Sequence, residues 1–382
     1  MNYSAVRMNE KEFVTFRAIA ENQPIYLRDV VKTTKLPYGT VQGIINRNLD
    51  LFTVKIVGRQ KYFCFADTDK VMSVLEQLEF SISKENQTLD RLDELESQAI
   101  FILREAYANL DNLCMLWSIG KDSTVLLWLA RKAFAGHVPF PLVHIDTSFK
   151  IPQMIEYRDR LAQEYQLTMI YGQNKSAIEQ NLTFPAGNIS RLDCCKRLKS
   201  EALKTTLNGT SRRWILNLES GQYENYANTD PFTGVIAGVR SDEEGSRSKE
   251  RYFSARGIHN DWNVDDQPPE LWNQFKTDFP KGEHVRVHPL LDWTELDVWK
   301  YIEREHIPTV NLYYDQGEGT RYRSLGCYPC TKPIKSTAKN VHQVVEELES
   351  GALRNIAERS GREQDKEDKG GGLETLRREG YM

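Results

Sequence analysis

Ser118-Ile119-Gly120-Lys121-Asp122-Ser123 follows the apolar run Leu113 to Trp117 and precedes the helical pattern STVLLWLARKAFA. A glycine-containing loop in that setting lets backbone N–H groups close on an anion, and the start of the following helix adds a favourable dipole. Ser118 and Ser123 supply hydroxyl donors and Lys121 a point charge, a set suited to phosphate oxygens. The spacing is not that of a Walker loop, whose interval from Gly to Gly-Lys is longer. A second constellation is made of thiols: Cys194 and Cys195 are adjacent, and Cys327 and Cys330 form a Cys-x-x-Cys pair. Four thiolates in this grouping suit a [4Fe–4S] cluster or a zinc ion, although adjacent cysteines are awkward around tetrahedral zinc. Lys196, Arg197 and Lys332 flank them and would offset the negative charge of a cluster. Free thiols beside a crevice are the plainer alternative.

These residues need a scaffold. Strand-like runs at 113–117, FPLVHIDTSF, LTMIYG and FTGVIAGVRSDE alternate with helical patterns, which predicts a parallel α/β sheet with ligands at the carboxyl ends of its strands. His288-Pro289-Leu290 reads as a strand leading into a helix capped by Asp292 or Thr294, with Trp293 and Trp299 structural. Upstream, EKEFVTFRAIAE, LRDVVKTTK and TVQGIINRNL read as three helices, the last with Val41, Ile44 and Ile45 on one face. Two strands around Gly58-Arg59 follow as a hairpin. That order predicts a small winged-helix-like α+β domain. Its third helix offers Tyr38, Thr40, Gln42 and Arg47 and its wing Lys55, Arg59 and Lys61, for contact with DNA or for docking and dimerisation. The expected domains are 1–70 (winged-helix-like), 71–110 (helical connector), 111–310 (nucleotide-binding α/β) and 311–382 (cysteine-containing segment and tail). KEDKGGGLE predicts a mobile loop, and Cys64 and Cys114 predict buried core thiols.

Composition narrows the class. Across 382 residues, 40% hydrophobic and 27% charged residues are ordinary for a globular protein, and the net charge of -4 gives no global pull toward nucleic acid or anionic lipid. The amino terminus lacks a secretory pattern and no apolar run approaches a membrane span, so a cytoplasmic protein without membrane association is expected.

The phosphate loop resembles the SGGKDS-type loop of PP-loop ATP pyrophosphatases, with Ile119 in place of one Gly. VHIDTSFK, GVRSDEEGSRSKER, HPLLDWTELDVWKYIEREHIP, RSLGCYP and the tail ERSGREQD…LRREGYM resemble the small subunit of sulfate adenylyltransferase and its relatives, the adenylylsulfate and phosphoadenylylsulfate reductases. The resemblance implies an adenine nucleotide α-hydrolase-like fold. It implies that ATP is held by Ser118 to Ser123, with Lys121, Asp122 and Ser123 carrying the chemistry and Mg²⁺ assisting. It places Asp146 and Thr147 beside the nucleotide and Gly238 to Arg240 near adenine and ribose. The cationic run Arg247, Lys249, Arg251 follows a strand end and is expected to meet phosphate or the oxyanion, against a solvated face as the other reading. GCYPCTKP and DCCKRLK resemble the cluster segments of adenylylsulfate reductases, whereas typical sulfate adenylyltransferase subunits lack most of these cysteines.

Three functions compete. No cysteine follows Cys330, which disfavours reduction through a carboxyl-terminal thiol. Sulfate adenylylation accounts for the tail and the HPLLDWTELDVW block but not for the thiols. The feature set is most similar to the ATP pyrophosphatase of DNA phosphorothioation systems (Dnd and Ssp types), which implies adenylylation of a DNA backbone phosphate, a cysteine-desulfurase sulfur donor and further modification-system partners. A winged-helix regulator that only senses nucleotide is the non-enzymatic alternative.

Overall fold

The computed structural model describes residues 10–58, 60–68, 71–72, 75, 90–217, 219–257, 267, 270, 275–280 and 283–363. The chain divides into two units, Met1–Asp90 and Arg91–Met382. KEDKGGGLE, the end of the tail and Arg59 of the wing lie outside the described residues.

In the first unit the helices are Glu10–Asn22, Leu27–Thr34 and Tyr38–Arg47, and the strands β1 (Ile25–Tyr26), β2 (Phe52–Val57) and β3 (Gln60–Phe65) form an antiparallel sheet in the order β1-β3-β2. Val57 pairs with Gln60, so the hairpin turns directly after Val57, with Gly58 at φ 63 supplying the left-handed residue such a tight turn needs. Val41, Ile44 and Ile45 bury one helix face against Phe52, Phe63 and Phe65. Arg47, the cation of that helix, pairs with Glu12 at 3.4 Å. Cys64 is only partly buried, correcting the expectation of a core thiol, because it sits on a strand of a sheet open on one side; Cys114 is fully buried.

The second unit is built on an eight-stranded sheet. Its strands are β4 (Leu113–Leu116), β5 (Leu142–Ile145), β6 (Met169–Gly172), β7 (Trp214–Leu216), β8 (Tyr223–Asn225), β9 (Gly234–Ile236), β10 (Phe253–Arg256) and β11 (His284–Val287), in the order β10-β11-β9-β4-β5-β6-β7-β8. The centre β11-β9-β4-β5-β6 is parallel and both edges are antiparallel. β4 is buried throughout because both its faces are covered: Leu113 and Met115 enter one core with Val125 and Leu126, and Cys114 and Leu116 enter another with Val143, Ile170 and Leu203. Central parallel strands with helices on both sides are apolar on both faces for this reason.

β5 and β6 lie to one side of β4, and β9 lies on the other. The direction of winding therefore reverses at the β4/β9 boundary, where α/β sheets open a crevice at the strand ends. Both the phosphate loop after β4 and Gly238 to Arg240 after β9 reach that crevice.

Two expectations are corrected here. Helix Arg91–Asn109, part of the expected connector, instead buries Leu95, Ala99, Ile102, Leu103 and Ala106 in the main core. Its spaced apolar residues line one face, and Arg104 donates to the carbonyl of Ala133 at the end of helix Lys121–Ala133, where a cation is favoured. The strand before the capped helix is His284–Val287 rather than His288 to Leu290. The cap is Thr294: its hydroxyl accepts from Asp297 N, and Asp297 accepts from Thr294 N, closing a capping box on helix Glu295–Arg304. Trp293 and Trp299 are buried edge-on against Tyr301 and Tyr313. Among the described residues no helix is long and apolar enough to cross a membrane. Thr294→Ala removes the cap and should lower the stability of this unit by about 1 kcal/mol, read as a lower urea midpoint at unchanged slope.

Candidate functional site

The phosphate loop leaves β4 through Trp117, whose indole donates to Thr124 Oγ1 at 3.3 Å. Ile119 adopts φ 71 with its side chain 1% exposed. Left-handed backbone is rare for a β-branched residue, and here it occurs where the resembled loop carries glycine. Ser118 Oγ and Ser123 Oγ lie 3.2 Å apart across the turn, and Lys121 opens the following helix. The Lys121 backbone N–H, one of the unpaired donors of a helix start, donates to Tyr313 Oη at 2.8 Å. Gly238 comes so close to this turn that a Cβ there would lie 3.1 Å from Ser123 N; no larger residue fits between β9 and the loop without moving it.

Charge is concentrated behind the loop. Lys121 is 2% exposed and pairs with Asp122 at 3.3 Å and with Glu358; Arg240, fully buried, pairs with Asp122, with Asp242 at 2.9 Å and with Glu358. Burial pulls the Lys121 ammonium down, but Asp122 and Glu358 outweigh it and hold the group above its usual range. Arg240 is raised in the same way against its burial, by Asp122 and Glu358. Glu243 bridges Arg247 and Arg359, the latter at 3.2 Å. Burial would raise its carboxyl, but these two guanidinium groups hold it well below the ordinary carboxylate range.

These groups face one cleft, lined by Ser118, Gly120 to Ser123, Gly238, Glu243, Arg247 and Tyr313 and, beyond them, by Lys150, Lys199, Arg359 and Arg362. Lys150 pairs by backbone bridge with Cys327. Burial lowers the Lys150 ammonium to about 8, with Lys199 and Arg362 as further cations pushing the same way.

The four thiols lie on two segments, Cys194 and Cys195 at the end of helix Arg191–Cys195, Cys327 and Cys330 on the turn Tyr328–Cys330 and the residue before it. Cys327 Sγ lies 3.2 Å from Thr147 Oγ1, and Lys199 Nζ lies 3.5 Å from Cys195 Sγ. Burial pushes the Cys327 thiol up, yet Lys199, Lys150 and the Thr147 hydroxyl hold it below its ordinary value. Burial raises Cys330 to about 11, with Cys195, Cys327 and Cys194 adding to the rise. Among the described residues no three Cys, His, Asp or Glu side chains are gathered so as to hold a metal ion.

Of the residues expected from sequence, Ser118, Gly120, Lys121, Asp122, Ser123, Gly238 and Arg247 line the cleft, with Ile119 and Arg240 buried beneath it. Asp146 and Thr147 are not among the residues lining it: Asp146 accepts from Ser148 N at 2.8 Å and Thr147 Oγ1 lies against Cys327. Arg251 donates to the carbonyl of Glu250 and its own carbonyl lies against His288, outside the residues lining the cleft. Lys249 is exposed, as the solvated reading of that run expects. Sequence reasoning missed Tyr313, Glu243, Glu358, Arg359 and Arg362. The last three lie in ERSGR, a tail segment that carried the family resemblance without a stated role.

Residues 112–333 match the phosphoadenosine phosphosulfate reductase domain family. The chain is 40% identical over 321 residues to sulfate adenylyltransferase subunit 2 of Agrobacterium fabrum, covering 76% of this chain and 93% of that one. It is 39% identical over 325 residues to the protein of the same name from Geobacter metallireducens, covering 77% and 99%. Among solved structures, phosphoadenylyl-sulfate reductase from Candida auris superposes with a TM-score of 0.40 at 16% identity, over 65% of this chain and 98% of that one.

Tyr313 gives this geometry a direct test. Its hydroxyl accepts from Lys121 N and faces the cleft, leaving its proton for an anion there. Tyr313→Phe should reduce pyrophosphate release from ATP about tenfold or more with the unfolding midpoint shifted little; unchanged turnover would remove Tyr313 from the site.

Proposed function

This chain belongs to the phosphoadenosine phosphosulfate reductase domain family, and we propose that it transfers the adenylyl group of ATP to an oxyanion, with sulfate the first candidate acceptor. The observation that carries the reading is a single cleft holding both the phosphate loop, with Lys121 at its helix start, and the separate cations Lys150, Lys199 and Arg362. One set suits a departing pyrophosphate and the other a second anion. The names of the relatives, sulfate adenylyltransferase subunit 2, favour sulfate, and the word subunit favours assembly with another chain.

In this scheme an acceptor oxygen attacks the α-phosphorus in line, the bond from α-phosphorus to the β-bridging oxygen breaks, and pyrophosphate leaves while AMP stays on the acceptor. Lys121, the loop N–H groups, Ser123 and Tyr313 stabilise charge on the leaving group. Lys150 and Lys199 orient the acceptor. Both sulfate and a phosphodiester are already ionised at neutral pH, so no general base is assigned. Mg²⁺, when bound, would neutralise phosphate charge, and Asp122 is the carboxylate of the loop suited to it.

The thiols favour a second reading. Sulfate adenylylation has no need of Cys194, Cys195, Cys327 and Cys330 beside the acceptor cations, whereas sulfur insertion does. Here the acceptor is a DNA backbone phosphate, and the terminal sulfur of a persulfide from a cysteine-desulfurase partner bonds to phosphorus as AMP leaves. A thiol reductant then cleaves the S–S bond and departs as a disulfide with the sulfur carrier, and the first unit contacts DNA. The four thiols are then the proposed seat of a [4Fe–4S] cluster, supported by their Cys-Cys and Cys-x-x-Cys grouping in the sequence and by Lys150 beside Cys327 and Lys199 beside Cys195 as counter-charges.

Pyrophosphate release by anaerobically purified protein, with sulfate and DNA supplied separately, tests both. Stimulation by sulfate supports the first reading and stimulation by DNA the second. Nucleotide binding with no release in either case would point to a sensor rather than an enzyme. Lys121→Ala should reduce release about a hundredfold. Iron analysis of the same preparation should find about four irons per chain and a visible absorbance that Cys327→Ser bleaches; iron-free, colourless protein would rule the cluster out.

A further inference from the structure

Residues 353–362 form an irregular strap over the phosphate end of the cleft. It is held by a few polar ties. Arg323, paired with Glu295 at 2.6 Å, donates to the carbonyl of Ile356. Arg359 pairs with Glu243, and Arg362 donates to Ser324 Oγ at 2.8 Å and to the carbonyl of Leu325. Lys332 N donates to the carbonyl of Gly361. Leu353 is buried, but residues 354–357 are exposed, a pattern of few apolar contacts that goes with a low cost of local opening.

From this strap Glu358 reaches inward until its side chain is 8% exposed, giving one carboxylate oxygen to Lys121 and the other to Arg240. That is the service a phosphate group would perform for the same two cations. Asp122, Asp242 and Glu358 together balance the buried positive charge. A polyphosphate entering the loop would add several negative charges beside Glu358, and like charges cannot share a dry pocket. Lys121 and Arg240 keep the Glu358 carboxyl below its ordinary value in spite of burial, so protonation does not relieve the conflict near neutral pH. Movement does.

We propose that Glu358 is a resident anion of the phosphate subsite and that ATP binds by displacing it and lifting the 353–362 strap. This rests on the reading of the cleft as an ATP site. The affinity of the full-length chain for the non-cleavable analogue α,β-methylene-ATP, measured by calorimetry with Mg²⁺, tests it. Glu358→Gln keeps the shape and removes the charge, so it should bind the analogue about tenfold more tightly, as expected when a closed state that outweighs the open one tenfold is removed. Hydrogen exchange of wild-type amides 353–362 should accelerate when the analogue is added, a measurement that does not depend on the variant folding. Equal or weaker binding by Glu358→Gln than by wild type, or slower exchange in the strap, would overturn the proposal and make Glu358 a residue that positions Lys121. Binding by neither protein would overturn the ATP reading itself and the proposal with it.

Discussion

Lys121 and Arg240 carry like charges into the interior of the nucleotide unit, and they can stand together only because Asp122, Asp242 and Glu358 surround them. An unpaired buried charge costs several kcal/mol, and a paired one returns that cost only when its geometry is complete. The rest of the site follows from meeting this condition. β4 must deliver Lys121 at the first turn of a helix, β9 must deliver Arg240 close enough to share Asp122, and Gly238 must be bare so that the two strand ends can approach. The third carboxylate comes from far along the chain. Winding that reverses between β4 and β9 is what puts the first two contributions on one crevice.

The same economy of charge joins the two halves of the cleft. Lys150 and Lys199 suit an incoming oxyanion, and they also hold the Cys327 thiol toward its thiolate form. Cleft charge and the ionisation of that thiol thus draw on one set of cations. A chain that kept the phosphate loop and changed only what those cations face could move between sulfate and another oxyanion without rebuilding its nucleotide end.

What could be read from the sequence was what is local. The loop 118–123 shows itself because strand, glycine, lysine and helix start are contiguous, and each central strand shows itself as an apolar run because both its faces are covered. Thr294 was one of two readable caps. Helix Arg91–Asn109 reads as a connector because polar residues dominate its composition, and its place in the main core shows only once the fold brings Leu95, Ala99, Ile102, Leu103 and Ala106 together. Asp146 and Thr147 follow a strand end, yet the turn through Ser148 at φ 61 directs them to a backbone amide and to Cys327. Glu358 could not be found by spacing at all: its partner Lys121 is 237 residues away, and a glutamate between an alanine and an arginine looks like any solvated charge. Tyr313 was hidden for the same reason, an aromatic among aromatics whose hydroxyl acquires meaning only against Lys121 N.

Ile119 bears on how the loop meets its ligand. A glycine at that position would leave the turn free to sample many shapes, and nucleotide would then have to freeze one of them. The isoleucine side chain is sunk into the main apolar core while its backbone sits in a region that costs about 1–3 kcal/mol, so burial of the side chain holds a conformation the backbone alone would leave. The turn's shape is therefore settled when the protein folds, not when the ligand arrives. Such preorganisation moves the entropic cost of ordering from binding to folding, and the mobile part of the encounter is left to the opposite wall of the cleft.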